Sequence, residues 1–182
     1  MSLSSVKRVI LEKVWMFDRP AKPAEIAKTV DMSFPTVMMH LLGLAKTGYV
    51  SSPEKGLYVI TDKGKRALGI PEMTQQKASE ILKHLPAEKS FHFYADIGKP
   101  LNAYAASLEG FCEKIQKIDL SSIEFHVRHG DFEAWFTHLG DIELAKKVAI
   151  LEKQKMRGEE LRKKLYELVH RRYEELVKIR GV

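Results

Sequence analysis

The stretch Ser33–Tyr49 constrains this chain more than any other. Val37, Leu41 and Leu44 fall at i, i+4 and i+7, which makes one narrow apolar stripe if the segment is helical. Ser33 stands just before the stripe, where its hydroxyl can accept from the open N–H groups of a first turn. Pro35 lies in that turn, where a missing N–H does little harm. Gly48 closes the helix and Tyr49-Val50 starts a strand. The opposite face carries Thr36, Met39, His40 and Gly43. A capped helix with a thin buried stripe and small or polar groups outside suits insertion into the major groove of DNA.

The flanking residues extend this pattern. Val6, Ile10, Val14 and Phe17 read as the inward face of an earlier helix, which Arg19-Pro20-Ala-Lys-Pro23 ends. Pro23 to Val30 reads as a second helix burying Ile26, Ala27 and Val30, with Asp31-Met32 as the turn. Tyr49-Val50 and Leu57-Tyr58-Val59-Ile60 read as two strands joined by a Pro53 and Gly56 turn, and Asp62 as the cap of a fourth helix. Ser33-x-x-Thr36-Val37-x-x-His40-Leu41-x-x-Leu44-x-x-x-Gly48-Tyr49-Val50 resembles the recognition helix of archaeal and bacterial winged helix-turn-helix regulators. The flanks resemble that family's second helix and wing strands, so the resemblance covers roughly residues 5–69. It implies a winged helix-turn-helix with a two-stranded wing, and DNA binding; winged helices also serve as protein–protein modules.

Charge follows the same division. Residues 1–70 hold 11 Lys/Arg against 6 Asp/Glu, whereas residues 71–182 hold 19 against 18. The basic excess therefore lies on the segment that would meet phosphates. No apolar run approaches the ~20 residues of a membrane helix, and no leader peptide is expected. Cys112 is the only cysteine, so no internal disulfide can form and a reducing, cytoplasmic setting is expected.

The sequence divides into a DNA-binding domain at 1–70, a linker helix at 71–86 and a helical accessory or dimerisation domain at 87–182, a mainly α (α+β) chain. Met73, Ala78, Ile81, Leu82 and Leu85 form an apolar seam on the linker helix. Ser90 to Ala95 alternates briefly, as a strand would, and Asn102 to Ile118 reads as a helix with Leu108, Phe111, Cys112 and Ile115 inward. Gly130-Asp131 and Gly140-Asp141 each read as a turn glycine followed by an N-cap aspartate. Phe125-His126, Gly130-Asp131-Phe132-Glu133-x-Trp135 and Leu139-Gly140-Asp141 resemble an uncharacterised archaeal helical domain, which implies no chemistry. Leu144, Val148 and Leu151, then Leu161, Leu165, Leu168, Val169, Tyr173 and Leu176, repeat at helical spacing, with a break expected near Gly158. The seams at 73–85 and 144–176 suggest a homodimer.

Other chemistry is sparse. His126, His129, Asp131 and His138 have metal-ligand types, but Gly130 interrupts any shared face, and a packed, hydrogen-bonded His126 is the simpler reading. Cys112 falls on an apolar face, where a thiol is inert, and Ser122 with His126 lacks a nucleophile elbow. No phosphate loop or dinucleotide fingerprint occurs. Phe132, Trp135 and Phe136 can line an effector pocket or fill a core. The expectation is therefore a transcriptional regulator without enzymatic activity, cofactor or structural metal. It binds double-stranded DNA as a homodimer, with room for a small-molecule effector and no membrane partner. Its expected DNA contacts are Ser33, Thr36, Met39, His40 and Lys46 from the helix and Lys55 from the wing, with Lys63, Lys65 and Arg66 as further phosphate candidates. The alternatives are a winged-helix protein-interaction module and a metal- or ligand-responsive sensor.

Overall fold

The computed structural model describes residues 3–181. It is mainly helical, with two small antiparallel sheets, and its internal contacts divide it into two compact units between Glu72 and Met73. No helix among the described residues is long and apolar enough to cross a membrane.

The first unit runs α1 (Ser5–Phe17), α2 (Pro23–Val30), α3 (Phe34–Lys46), β1 (Val50–Ser51), β2 (Val59–Ile60) and α4 (Asp62–Ala67). Ser4 caps α1, which buries Ile10, Leu11, Val14 and Trp15; Val6 and Phe17, at the ends of the expected face, are only half-buried. Asp18 and Asp31 end α1 and α2 in the left-handed conformation, with φ of 54° and 50°, which the short Asp side chain tolerates better than most. In α3 the expected stripe is the buried one: Val37, Leu41 and Leu44 are fully covered. β1 pairs with β2 through Val50↔Ile60 and Ser51↔Val59. Ala21 and Tyr58 exchange two backbone hydrogen bonds of 2.9 Å, which tie the α1–α2 connection to the strand pair. The cap of α4 is Thr61, not Asp62. Its hydroxyl accepts from Gly64 N–H at 3.1 Å and donates to Gly48 O at 2.7 Å, a double role that a carboxylate, lacking a proton to donate, cannot fill.

The second unit runs α5 (Gln75–Ile81), one 3-10 turn at Ala87–Lys89, β3 (Phe91–Asp96), β4 (Lys99–Ala105), α6 (Leu108–Lys117), α7 (Leu120–His129), α8 (Asp131–His138), α9 (Ile142–Lys153) and α10 (Gly158–Arg180). The segment read as a linker helix over 71–86 is helical only over Gln75–Ile81, because Thr74 caps it late; its Ala78 and Ile81 lie in this unit's own core. The helix expected over 102–118 is corrected too. Its first residues belong to β4, which returns on β3 through Gly98 (φ 71°), and Ser107 starts the helix proper. Asp131 is the first residue of α8 and not its cap; Gly130 holds that position. α9 and α10 separate at residues 154–157 as expected, with Gly158 N–H donating to Glu124 Oε1 at 2.9 Å. Leu144, Val148, Leu151, Leu161, Leu165, Val169 and Leu176 are all buried within this unit. The seams behind the dimer expectation are thus covered by the unit itself and carry no argument for pairing.

Candidate functional site

The open surface of α3 is the feature of the first unit that its own core leaves unused. Ser33 Oγ accepts from Thr36 N–H at 3.4 Å, and the two hydroxyls share a hydrogen bond of 2.8 Å. The cap thus fixes both side chains at the start of the helix. Residues at 100° steps from the buried stripe set the rest. Met39, Leu42 and Lys46 point away from the core together with Pro35, and all four are exposed. Thr36 and His40 are half-buried on one flank, a quarter-turn from the position expected for them. The same flank carries Gly43, where an added Cβ would lie 3.6 Å from Lys7 Nζ; α1 therefore lies along this side. Phe34, Met39 and Leu42 are 52%, 62% and 54% exposed, so the outer face is more apolar than polar.

Three cations of this unit are tied to partners within it. Lys63 Nζ donates to Thr47 O at 2.7 Å and sits 4.9 Å from the centre of the Tyr49 ring; it is exposed but tied to the end of α3. Arg66 pairs with Glu72 at 3.5 Å. Arg19 pairs with Glu25 at 2.6 Å, and Glu25 is held at about 2 by Arg19 and by the Lys22 N–H. By contrast, no carboxylate pairs with Lys7, Lys46 or Lys55 among the described residues. Lys46 is exposed at the end of α3, and Lys55 in the turn between β1 and β2. No Asp or Glu occurs in α3. Reasoning from sequence identified Ser33, Thr36, Met39, His40, Lys46 and Lys55 but missed Phe34, Leu42 and Lys7. Leu42 was legible from its angle to the stripe, whereas Lys7 required the packing of α1.

In the second unit the metal-type residues are committed to structure. Tyr94 N–H can only donate, so His126 Nε2 accepts from it at 2.8 Å, and Nδ1–H donates to Asp131 Oδ2 at 2.7 Å. Both ring nitrogens are thus occupied, and the ring lies against Phe91 and Phe132. His129 Nδ1 bonds Phe125 O at 2.7 Å, and His138 is exposed. No group of three or more potential ligands is arranged to hold a metal ion among the described residues. Burial, with Glu109 adding to it, pushes the Cys112 thiol up to about 12, so it has no thiolate at neutral pH. Phe132, Trp135 and Phe136 are core side chains around Phe111, and Trp135 Nε1 donates to Lys89 O at 3.1 Å.

Burial depresses the His126 pKa against the pull of Asp131. Above about pH 6.5 the imidazole is neutral both folded and unfolded. Below it the unfolded chain takes up a proton that the folded chain resists, so this group's contribution is lost as pH falls from about 6.5 toward the depressed folded value. The second unit should therefore lose stability between neutral pH and pH 5. His126→Gln, which has no proton to gain, should show a smaller loss; equal pH slopes in chemical denaturation would contradict the assignment.

Comparison with known proteins adds one finding. A family model described as a family of unknown function (DUF5752) matches residues 69–170, more than half of the chain. The matched segment contains His126, Asp131, Trp135 and Asp141, whose partners are structural. Neither a curated protein nor a solved structure matches the chain.

Proposed function

The chain belongs to the DUF5752 family, which brings no activity with it, and we propose from the first unit that it is a DNA-binding transcriptional regulator. In this reading residues 3–72 form a winged helix-turn-helix: α2 and α3 are the helix pair, β1 and β2 the wing, and the Ala21–Tyr58 bridge a short third strand. The second unit is the accessory part. The observation that carries the reading is α3 itself. It is capped at Ser33, buried along one stripe only, free of acidic residues, and flanked by Lys7, Lys46 and Lys55 without carboxylate partners. Phosphate contacts need unpaired cations and no opposing carboxylates, and a one-sided helix leaves its outer face for a groove.

The test is selection of bound sequences from random duplex DNA, followed by affinity over a salt series. Thr36→Ala should weaken the selected site by about 1–3 kcal/mol and change random duplex little, whereas Lys46→Ala or Lys55→Ala should weaken both alike and flatten the salt slope. A two-fold dimer would present two α3 helices to half-sites about one DNA turn apart. Paired half-sites in the selected sequences, with a dimer in light scattering, would favour it; a single half-site and a monomer would exclude it. One observation favours a second reading. The exposed Phe34, Met39 and Leu42 also fit a protein partner, and absence of duplex affinity at low salt would leave that reading in place.

A further inference from the structure

We propose that α3 recognises the C5 methyl groups of thymine, so that the preferred DNA is a thymine-rich duplex read by apolar contact and not by hydrogen-bond patterns. The inference rests on the DNA-binding reading above and specifies its substrate. Bidentate hydrogen-bond readout of base edges in the major groove relies on Arg, Lys, Asn or Gln, with Asp and Glu accepting from cytosine. The α3 sequence FPTVMMHLLGLAK has none of these before Lys46, in its last turn, while early positions of such a helix reach deepest into the groove. Thr36 and His40, the groups of α3 that can make single bonds, are half-buried on its flank. The two hydroxyls at the helix start already bond one another, which uses part of their hydrogen-bonding capacity, and the Thr36 methyl adds an apolar contact beside them. What α3 does present outward is Phe34, Met39 and Leu42, each more than half exposed. Phe34, Met38 and Leu42 follow one another at i, i+4 and i+8, and Met39 lies beside Leu42 at i, i+3. The thymine methyl is the one apolar group that a base pair of unmodified DNA offers in the major groove.

Charge agrees with duplex DNA as the occupant. The helix has no carboxylate to repel phosphates, and Lys7, Lys46 and Lys55 are placed along its side, at its end and in the adjoining strand turn. A protein partner recognised by the same apolar face would not require a helix free of acidic residues. The methionines add tolerance, because a flexible thioether adapts to a methyl on either strand. The expected preference is therefore for thymine content over several steps more than for one fixed base at one step.

The experiment uses the full chain and the duplex pool enriched by selection, synthesised once with thymine and once with deoxyuridine, which lacks only the C5 methyl. Binding is followed by fluorescence anisotropy at several salt concentrations. The deoxyuridine pool should bind roughly four-fold more weakly for each methyl contacted, with the salt slope unchanged. In Met39→Ala and Leu42→Ala, substitutions at exposed positions that leave the thermal midpoint in place, the difference between the pools should shrink. Equal affinity of the two pools, with binding still salt-dependent, overturns the thymine inference and leaves DNA binding standing. An undiminished difference in both variants places the methyl contact away from α3 and overturns it as well. Failure of any duplex to bind removes the DNA-binding reading itself.

Discussion

Arg172→Met is expected to destabilise the second unit by about 3–5 kcal/mol, the usual result of removing one partner from a buried ion pair. In a domain of this size that lowers the thermal midpoint by roughly 12–25 °C. The Arg172 side chain is only 5% exposed and grips Asp141, which is fully buried, with two hydrogen bonds: Nε to Oδ2 at 2.8 Å and a terminal nitrogen to Oδ1 at 2.9 Å. Its other terminal nitrogen reaches Glu143 at 3.1 Å and Glu175 at 2.7 Å. Three carboxylates thus converge on one guanidinium, and Lys147 lies 3.7 Å from Glu143. Methionine fills the volume of the stem but leaves the buried Asp141 and Glu143 carboxylates facing one another with little water to screen them. Asp141 also accepts from Leu144 N–H at 3.1 Å as the N-cap of α9, so the network joins the start of α9 to the middle of α10. Arg172→Lys should recover only part of the loss, because an ammonium cannot present the fork that meets Asp141 edge-on. Thermal melts of the three proteins followed by Trp135 would decide; a midpoint for Arg172→Met within 2–3 °C of the unsubstituted chain, about the shift from 0.5 kcal/mol, would show that the network is neutral.

That network also marks where sequence reasoning stops. The stripe Val37-Leu41-Leu44 and the cap Ser33 were legible because each depends on neighbours within two helical turns. The separation of α9 from α10 was legible for the same reason, from a charged run ending in Gly158. Asp141 and Arg172 are 31 residues apart, and an arginine amid Lys, Glu and His on a long helix reads as solvent-facing until the packing is known. β4 was lost to a helix because its alternation is weak and its partner β3 is supplied from outside the segment. The seams at 73–85 and 144–176 were seen correctly as apolar, but periodicity reveals that a face is covered and not what covers it. In the candidate site, Met39, Lys46 and Lys55 were foreseen as exposed. Thr36 and His40 lie on the flank because steps of about 100° set them only about 100° and 60° from Val37, and α1 lies along that side.

Gly64→Ala is expected to destabilise the first unit by about 3 kcal/mol, although alanine is the better helix former by about 1 kcal/mol. Gly64 lies within α4 and is buried. An added Cβ would stand 2.2 Å from the Tyr49 carbonyl oxygen and 2.6 Å from Ile60 Cγ1, well inside van der Waals contact. The isoleucine end can swing away, but the carbonyl cannot. Tyr49 O accepts from Thr61 N–H at 3.1 Å, while Tyr49 N–H donates to Leu44 O at 2.9 Å. Relief of the clash must therefore move α4 off the strand pair or pull Tyr49 from the end of α3. Overpacking of this kind costs about 1–3 kcal/mol, and more where backbone has to shift, so a net loss of about 3 kcal/mol is expected here. A unit of this size holds on the order of 3–5 kcal/mol in all, so about 0–2 kcal/mol would remain. Because the strain lies where α3 meets β1, duplex affinity should fall together with the fold. Gly56→Ala is the control: nothing lies within 4 Å of its Cβ and φ is +79°, so only the left-handed strain of about 1–2 kcal/mol applies. The measurement is urea unfolding followed by Trp15, buried in α1, in a Trp135→Phe background. A midpoint for Gly64→Ala at or above that of the parent would mean that helix propensity decides at this position and that the contact with Tyr49 does not hold the unit together.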